Sequence, residues 1–250
     1  MKLARFQVQG RTACGILHGK EVSELEGDFF GALKTLPTSH LITGVRLLAP
    51  CSPTKVIAVG LNYRDHAREL GLPIPDTPII FLKPPTSVIG PDDSIRYPET
   101  SSRVDYEAEL GIIIKDRVKD IRPEDASRHI LGYTCANDVT ARDLQKKDGQ
   151  WTRAKSFDTF CPFGPWIETE LDPDDLLVES FLNGARRQSS RTSQLIFKTN
   201  HLVSFISQVM TLYPGDLIIT GTPAGIGPME RGDEIEVRIE GIGSLKNVVN

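Results

Sequence analysis

The sequence predicts a mainly β, α+β fold, and three observations carry that expectation. Short apolar runs of strand character recur between glycine and proline turns along much of the chain. DEIEVRIE at 233–240 alternates charged and apolar residues, the period of a half-buried strand. Helical spacing is confined to a few short stretches, too little for a helical bundle or a regular alternation of strand and helix.

Residues 1–36 read as three short strands, RFQV, TACGILHG and KEVSEL, joined by glycine turns. The stretch from Leu36 to Pro53 holds Pro37, Pro50 and Pro53 and reads as a linker or crossover. KVIAVG at 55–60 is a strand. NYRDHAREL at 62–70 is a helix, with Gly71 placed to cap its C-terminus. Residues 71–103 are rich in proline and read as loops over a β scaffold, with short strands around IIFLK and SVIG. A strand at 107–115 follows, then a helix near 123–130 opened by Pro123. GYTCAN is a short strand-like run, and 139–146 a helix. In HLVSFISQVMTL, residues Leu202, Phe205, Ile206, Val209 and Met210 recur at helical spacing. LIITGT then reads as a buried strand.

Composition narrows the function classes. The chain has 250 residues, of which 39% are hydrophobic, so it can build a core without disulfide or metal staples. A net charge of −4, with basic residues scattered among acidic ones, gives no reason to expect nucleic acid or an anionic membrane as partner. The N-terminal MKLARFQVQG lacks an apolar run of signal-peptide length, and no run approaches the ~20 residues of a membrane span. Cys14, Cys51, Cys135 and Cys161 form no C-x-x-C pair. They read as reduced, small apolar groups in a cytoplasmic protein. A nucleophilic role for Cys161 has no supporting pattern.

The stretch VDYEAELGIII at 104–114 carries the chemistry. Side chains alternate across a strand, so Glu107 and Glu109 share one face, about 7 Å apart. Burying two unpaired carboxylates is costly. Either that face meets solvent or a cation sits between them. Asp138, just after GYTCAN, offers a third carboxylate from a separate element. Three such oxygens suit a hard divalent cation such as Mg²⁺, and the lack of histidine or cysteine among them disfavours zinc and copper. His66 and Glu69 are three apart and share a helix face, as a general base with its orienting carboxylate or as a surface pair. Lys155, among aromatic and proline residues, is either partly buried against an anion or a surface lysine. GTPAGIG at 221–227 lacks both dinucleotide and P-loop spacing. It suits a tight loop presenting the Thr222 hydroxyl and backbone N–H groups to an anion.

Six ordered blocks, VGLNYRDHAREL, FLKPPTSVIG, DYEAELGIII, GYTCANDVTARDLQ, QWTRAKSFDTFCPFGPW and TGTPAGIG, together resemble the fumarylacetoacetate hydrolase family over residues 55–250. Residues 1–50 resemble, less specifically, the small N-terminal β domain of its bacterial members, so a boundary near residue 50 is expected, with a catalytic domain over 51–250. The resemblance implies a mixed β-sandwich roll, usually a homodimer. It implies that Glu107, Glu109 and Asp138 bind Mg²⁺ or Mn²⁺, that Lys155 is the family lysine, and that Thr222 and Gln145 contact substrate. His66 and Glu69 match the His-x-x-Glu of the acylpyruvase and oxaloacetate decarboxylase branch. Arg64 is a less typical residue, expected either to meet a second substrate carboxylate or only to decorate the helix. The implied substrate is a small 2-oxo acid with a second carbonyl or carboxylate, handled as an enolate beside a Lewis-acidic metal. Hydrolysis or decarboxylation is the first expectation, isomerisation of a dienedioate-type acid the second. A non-catalytic metal-binding relative is a distant third. The His66 helix, with the adjoining 71–103 stretch, is expected to act as a lid.

Overall fold

A computed structural model describes all 250 residues. Strands form three sheets, with four short α-helices, α1 (Arg64–Leu70), α2 (Arg142–Asp148), α3 (Thr152–Lys155) and α4 (Thr199–Val209). The fold is mainly β, as the sequence predicts. No helix is long and apolar enough to cross a membrane.

The largest sheet runs, in spatial order, Thr35–Leu41, Glu21–Leu25, Arg11–His18, Lys2–Val8, Cys161–Glu168, Ile130–Asn137, Ala108–Ile114, Leu217–Ile219, Val56–Val59 and Ile80–Lys83. A five-stranded sheet, Ala185–Arg191, Leu177–Leu182, Glu234–Ile239, Gly243–Val249 and Ser94–Ile95, lies against it. Alternation along Ala108–Ile114 explains the layering. Leu110, Ile112 and Ile114 pack with Val178, Val237 and Leu245 of the five-stranded sheet and with Leu202 and Ile206 of α4. The other face carries Glu109 and Ile113, and Ile113 joins a second cluster with Val56, Ala58 and Phe163. That cluster also holds Leu3, Ile16 and Leu25, so the N-terminal strands share a core with the rest. Lys2–Val8 pairs antiparallel with Cys161–Glu168.

Several elements differ from expectation. The segment read as a linker from Leu36 supplies most of the strand Thr35–Leu41, which ends the large sheet. It is almost entirely exposed, and an edge strand tolerates Pro37 because its outer backbone has no ladder to complete. The predicted strand 107–115 is present as Ala108–Ile114 in the large sheet, and a separate short strand not foreseen before it, Val104–Tyr106, pairs within a small third sheet. The predicted helix at 139–146 starts later, at Arg142, because Thr140–Ala141 is extended against Val104 and Asp105. The segment opened by Pro123 is a 3₁₀-helix, Pro123–His129. Gly71 does cap α1, in the left-handed region at φ 63°, its N–H reaching Arg68 O.

Candidate active site

The antiparallel ladder between Ala108–Ile114 and Ile130–Asn137 assembles the acidic centre. It sets Glu109 opposite Ala136 and Ala108 opposite Asn137. One step further, the Asp138 N–H donates to Glu107 O at 2.9 Å, which brings Asp138 beside Glu107. One carboxylate oxygen from each of Glu107, Glu109 and Asp138 lies within 4.8 Å of the others. All three side chains are buried, so the solvent-exposed alternative for this face does not hold.

Two buried lysines and an arginine surround the cluster. Lys155 Nζ donates to Glu107 Oε2 at 2.9 Å and to Asp138 Oδ2 at 2.5 Å. Lys83 Nζ donates to Asp138 Oδ1 at 2.5 Å. Arg142 bonds Glu107 and also donates to Asp105 Oδ2 at 2.9 Å and Gln145 Oε1 at 2.6 Å. Burial alone would raise the Glu107 carboxyl, but Lys155 and Arg142 hold it at about 2. Burial likewise opposes the Lys155 charge, yet Asp138 and Glu107 raise its pKa.

Glu109 differs. It makes no ion pair, and its one hydrogen bond comes from the Gly221 N–H at 2.6 Å. Burial, reinforced by Asp138 and Glu107, pushes its carboxyl well above the ordinary range. Gly221 can present that N–H because it adopts φ 96° and packs where a Cβ would lie 2.8 Å from Asn62 Cβ. The fully buried Tyr63 hydroxyl has no hydrogen-bond partner, and Glu109 is among the charges that raise its pKa after burial. Oxygen-only donors in one cluster, one carboxylate lacking a cation, and an orphaned hydroxyl nearby together fit a hard divalent ion.

A cleft of about 290 Å³ opens over this centre. Glu107, Glu109 and Lys155 line its charged side, and Leu70, Leu72, Phe81 and Trp151 an apolar side. His66, Gln145 and Thr222 also line it. His66 Nδ1 lies 2.8 Å from Glu69 Oε2; donation from Nδ1–H leaves Nε2 as the proton acceptor. Glu69 Oε1 in turn accepts the Gly225 N–H at 3.0 Å, and Ser190 Oγ bonds Asp65, so α1 is docked on the glycine-rich loop and its neighbouring strand. The Thr222 hydroxyl accepts from Gln188 Nε2 at 2.8 Å.

The structure thus brings together eight of the nine residues singled out from sequence, seven lining the cleft or cluster and Glu69 behind His66. Arg64 is exposed on α1 and lines no part of the cleft. Sequence reading passed over Lys83, Arg142 and Gln188. Lys83 stood inside FLKPPTS and Arg142 inside TARDLQ, both visible as charges in otherwise apolar or motif-rich runs. Gln188 sits in ARRQSSR, which has no distinguishing pattern. Cys161 is fully buried, and burial pushes its thiol to about 12, which suits packing and not nucleophilic attack.

Fold and site define a β-sandwich protein with a buried acidic centre under an open cleft. The profile for fumarylacetoacetate (FAA) hydrolase C-terminal matches residues 55–250, and an Rv2993c-like, N-terminal profile matches residues 1–50. The chain belongs to the fumarylacetoacetate hydrolase family. It is 44% identical to the mitochondrial oxaloacetate tautomerase Fahd2a of Rattus norvegicus, over 99% of this chain and 79% of that protein. The crystal structure of 5-carboxymethyl-2-hydroxymuconate delta-isomerase from Mycobacterium smegmatis superposes with TM-score 0.95 at 46% identity, covering 100% of this chain and 99% of that one. Maleylpyruvate hydrolase from Sphingobium sp. SYK-6, in complex with manganese(II) and pyruvate, gives TM-score 0.84 at 30% identity over 100% and 98% of the two chains.

Proposed function

We propose that the protein is a divalent-metal-dependent enzyme that moves a proton on an enolisable 2-oxo acid, as a tautomerase or isomerase. The observation that carries this is the buried Glu107–Glu109–Asp138 cluster with Glu109 lacking a cation, under a cleft that His66 also lines. Glu107, Glu109 and Asp138 would hold Mg²⁺ or Mn²⁺, which supplies Lewis acidity toward the substrate's oxygens when bound. Lys155 adds positive charge beside the developing oxyanion. Thr222 and the backbone N–H groups of its loop hold the substrate carboxylate, with Gln145 as a further hydrogen-bonding group. His66 Nε2 takes the proton from the substrate and returns it at another atom, while Glu69 fixes the orientation of the ring through Nδ1.

The sequence alone placed cleavage first. The tautomerase and isomerase relatives at 44% and 46% identity move proton transfer ahead of it. C–C hydrolysis or decarboxylation is the second reading, favoured by the His66–Glu69 pair and by the hydrolase relative. Three assays run side by side separate them: conversion of enol-oxaloacetate to its keto form, CO₂ release from oxaloacetate, and hydrolysis of acetylpyruvate, each with Mg²⁺ or with chelator. Metal-dependent tautomerisation without CO₂ release or hydrolysis supports the proposal. Metal-dependent cleavage would replace it with the second reading, and turnover that survives chelation would sink both.

We also propose that the protein acts as a homodimer. Leu82 stands exposed on Ile80–Lys83, the strand that ends the large sheet, and Ile79 stands exposed just before it; an apolar-bearing edge of this kind is one that a second copy would cover. Sedimentation of a single species at monomer mass at micromolar concentration would contradict this.

A further inference from the structure

We infer that Lys146 selects for substrates carrying a second, distal carboxylate. The inference rests on the 2-oxo acid reading and says which end-group the cleft prefers. Three cationic side chains other than His66 line the cleft: Arg142, Lys146 and Lys155. Lys155 is committed to Glu107 and Asp138, and Arg142 to Asp105 and Glu107. Lys146 is exposed at the cleft and takes part in none of the structure's ion pairs or side-chain hydrogen bonds. Its charge is the one available to an incoming anion.

The placement of Lys146 fits a distal group. Arg142, Gln145 and Lys146 stand at i, i+3 and i+4 on α2 and so share one face. Arg142 is anchored on Glu107, at the acidic centre, and Lys146 lies one turn further out, about 5–6 Å away between Cβ atoms. A second cavity, of about 360 Å³, adjoins the first and shares Leu70, Arg142, Gln145 and Lys146 with it. The space over the acidic centre therefore continues along α2, past Gln145, with Lys146 in the common wall. Arg103, which also lines that second cavity, is held by Asp105. Of the acids there, Glu69 is held by His66 and the Gly225 N–H, and Asp105 by Arg103 and Arg142. The apolar part of the lining, with Leu72, Phe81 and Trp151, suits a hydrocarbon middle but cannot solvate a carboxylate. Arg64, which from sequence either took this role or only decorated its helix, lines neither cavity.

A pair of 2-oxo acids that differ only at the far end tests this. The Mn²⁺-loaded protein is titrated calorimetrically with 2-oxoglutarate and with 2-oxopentanoate, for wild type, Lys146→Ala and Lys146→Arg. Wild type is expected to prefer the diacid by roughly tenfold, as for one hydrogen bond to a charged group. Lys146→Ala should lose that preference while its affinity for 2-oxopentanoate stays unchanged, and Lys146→Arg should keep it. Equal binding of the two acids by wild type, or a preference that survives in Lys146→Ala, overturns this inference alone. Binding of neither acid by the Mn²⁺-loaded wild type overturns the 2-oxo acid reading and this inference with it.

Discussion

Lys83 shows how much of the site depends on charges that face inward. Its side chain is fully buried, with Nζ against Asp138 and the Val139 carbonyl. Replacing it with methionine leaves Asp138 with Lys155 alone. Breaking a buried ion pair by removing one partner costs about 3 kcal/mol or more, since the remaining charge stays out of water. Lys83→Met is therefore expected to lower stability by about 3 kcal/mol in urea denaturation of the metal-free protein. A loss under about 1 kcal/mol would mean that Lys155 compensates Asp138 unaided. At this scale the sequence was legible wherever residue type limits the chemistry. Two glutamates two apart in a strand, with an aspartate after another strand, have few uses when buried. It was silent on Gln188, whose importance comes from tertiary placement against Ala108, Ser180 and Thr222.

Short elements position these residues, and their ends are set by side chains more than by helix propensity. Asp143, in the first turn of α2, accepts hydrogen bonds from Ser101 Oγ at 2.6 Å and from Ser102 N and Oγ at 3.1 Å. Burial acts to raise its carboxyl, but these bonds prevail and hold it at about 2, below its unfolded value. A lowered folded pKa stabilises above the unfolded pKa, and that stability is lost as pH falls through the folded one. Asp143→Asn should accordingly be less stable than wild type at neutral pH, with the gap closing between about pH 4 and pH 2. Thermal melts of both proteins across that range measure it; a gap that stays constant to pH 2 would remove the carboxylate's charge from the account. Helix α1 and its Gly71 cap were readable because the capping signal is local. The strand Thr35–Leu41 was not, because its pairing with Glu21–Leu25 is non-local and its exposed, proline-bearing sequence looks like loop. Cys161–Glu168 was hidden by Pro162 and Pro165, which a strand pattern normally excludes.

Over the whole molecule, the sandwich gives the acidic centre a rigid floor. The strand that carries Glu109 buries its other face between two sheets, so Glu109 cannot swing away without opening that core. The N-terminal strands add Leu3, Ile16 and Leu25 to the cluster that backs this strand. Shared burial of this kind predicts one cooperative unfolding transition, with calorimetric and van't Hoff enthalpies equal, if the metal-free chain is studied as a single species. A separate early transition removed by deleting residues 1–50 would show the N-terminal part to be an independent unit. The roll itself lay beyond periodicity, which gives β content but not strand order. Its expectation came from the resemblance.

The central claim is that Glu107, Glu109 and Asp138 form a divalent-cation site, and direct Mn²⁺ binding tests it without assuming any substrate. The electron paramagnetic resonance of free Mn²⁺ would be followed while the chelator-washed protein is titrated, for wild type and Glu109→Gln. One saturable site per chain in wild type is predicted, with affinity in Glu109→Gln falling by more than the roughly 10–100-fold expected for loss of an outer-shell partner. No binding in wild type, or unchanged affinity in Glu109→Gln, would contradict the account.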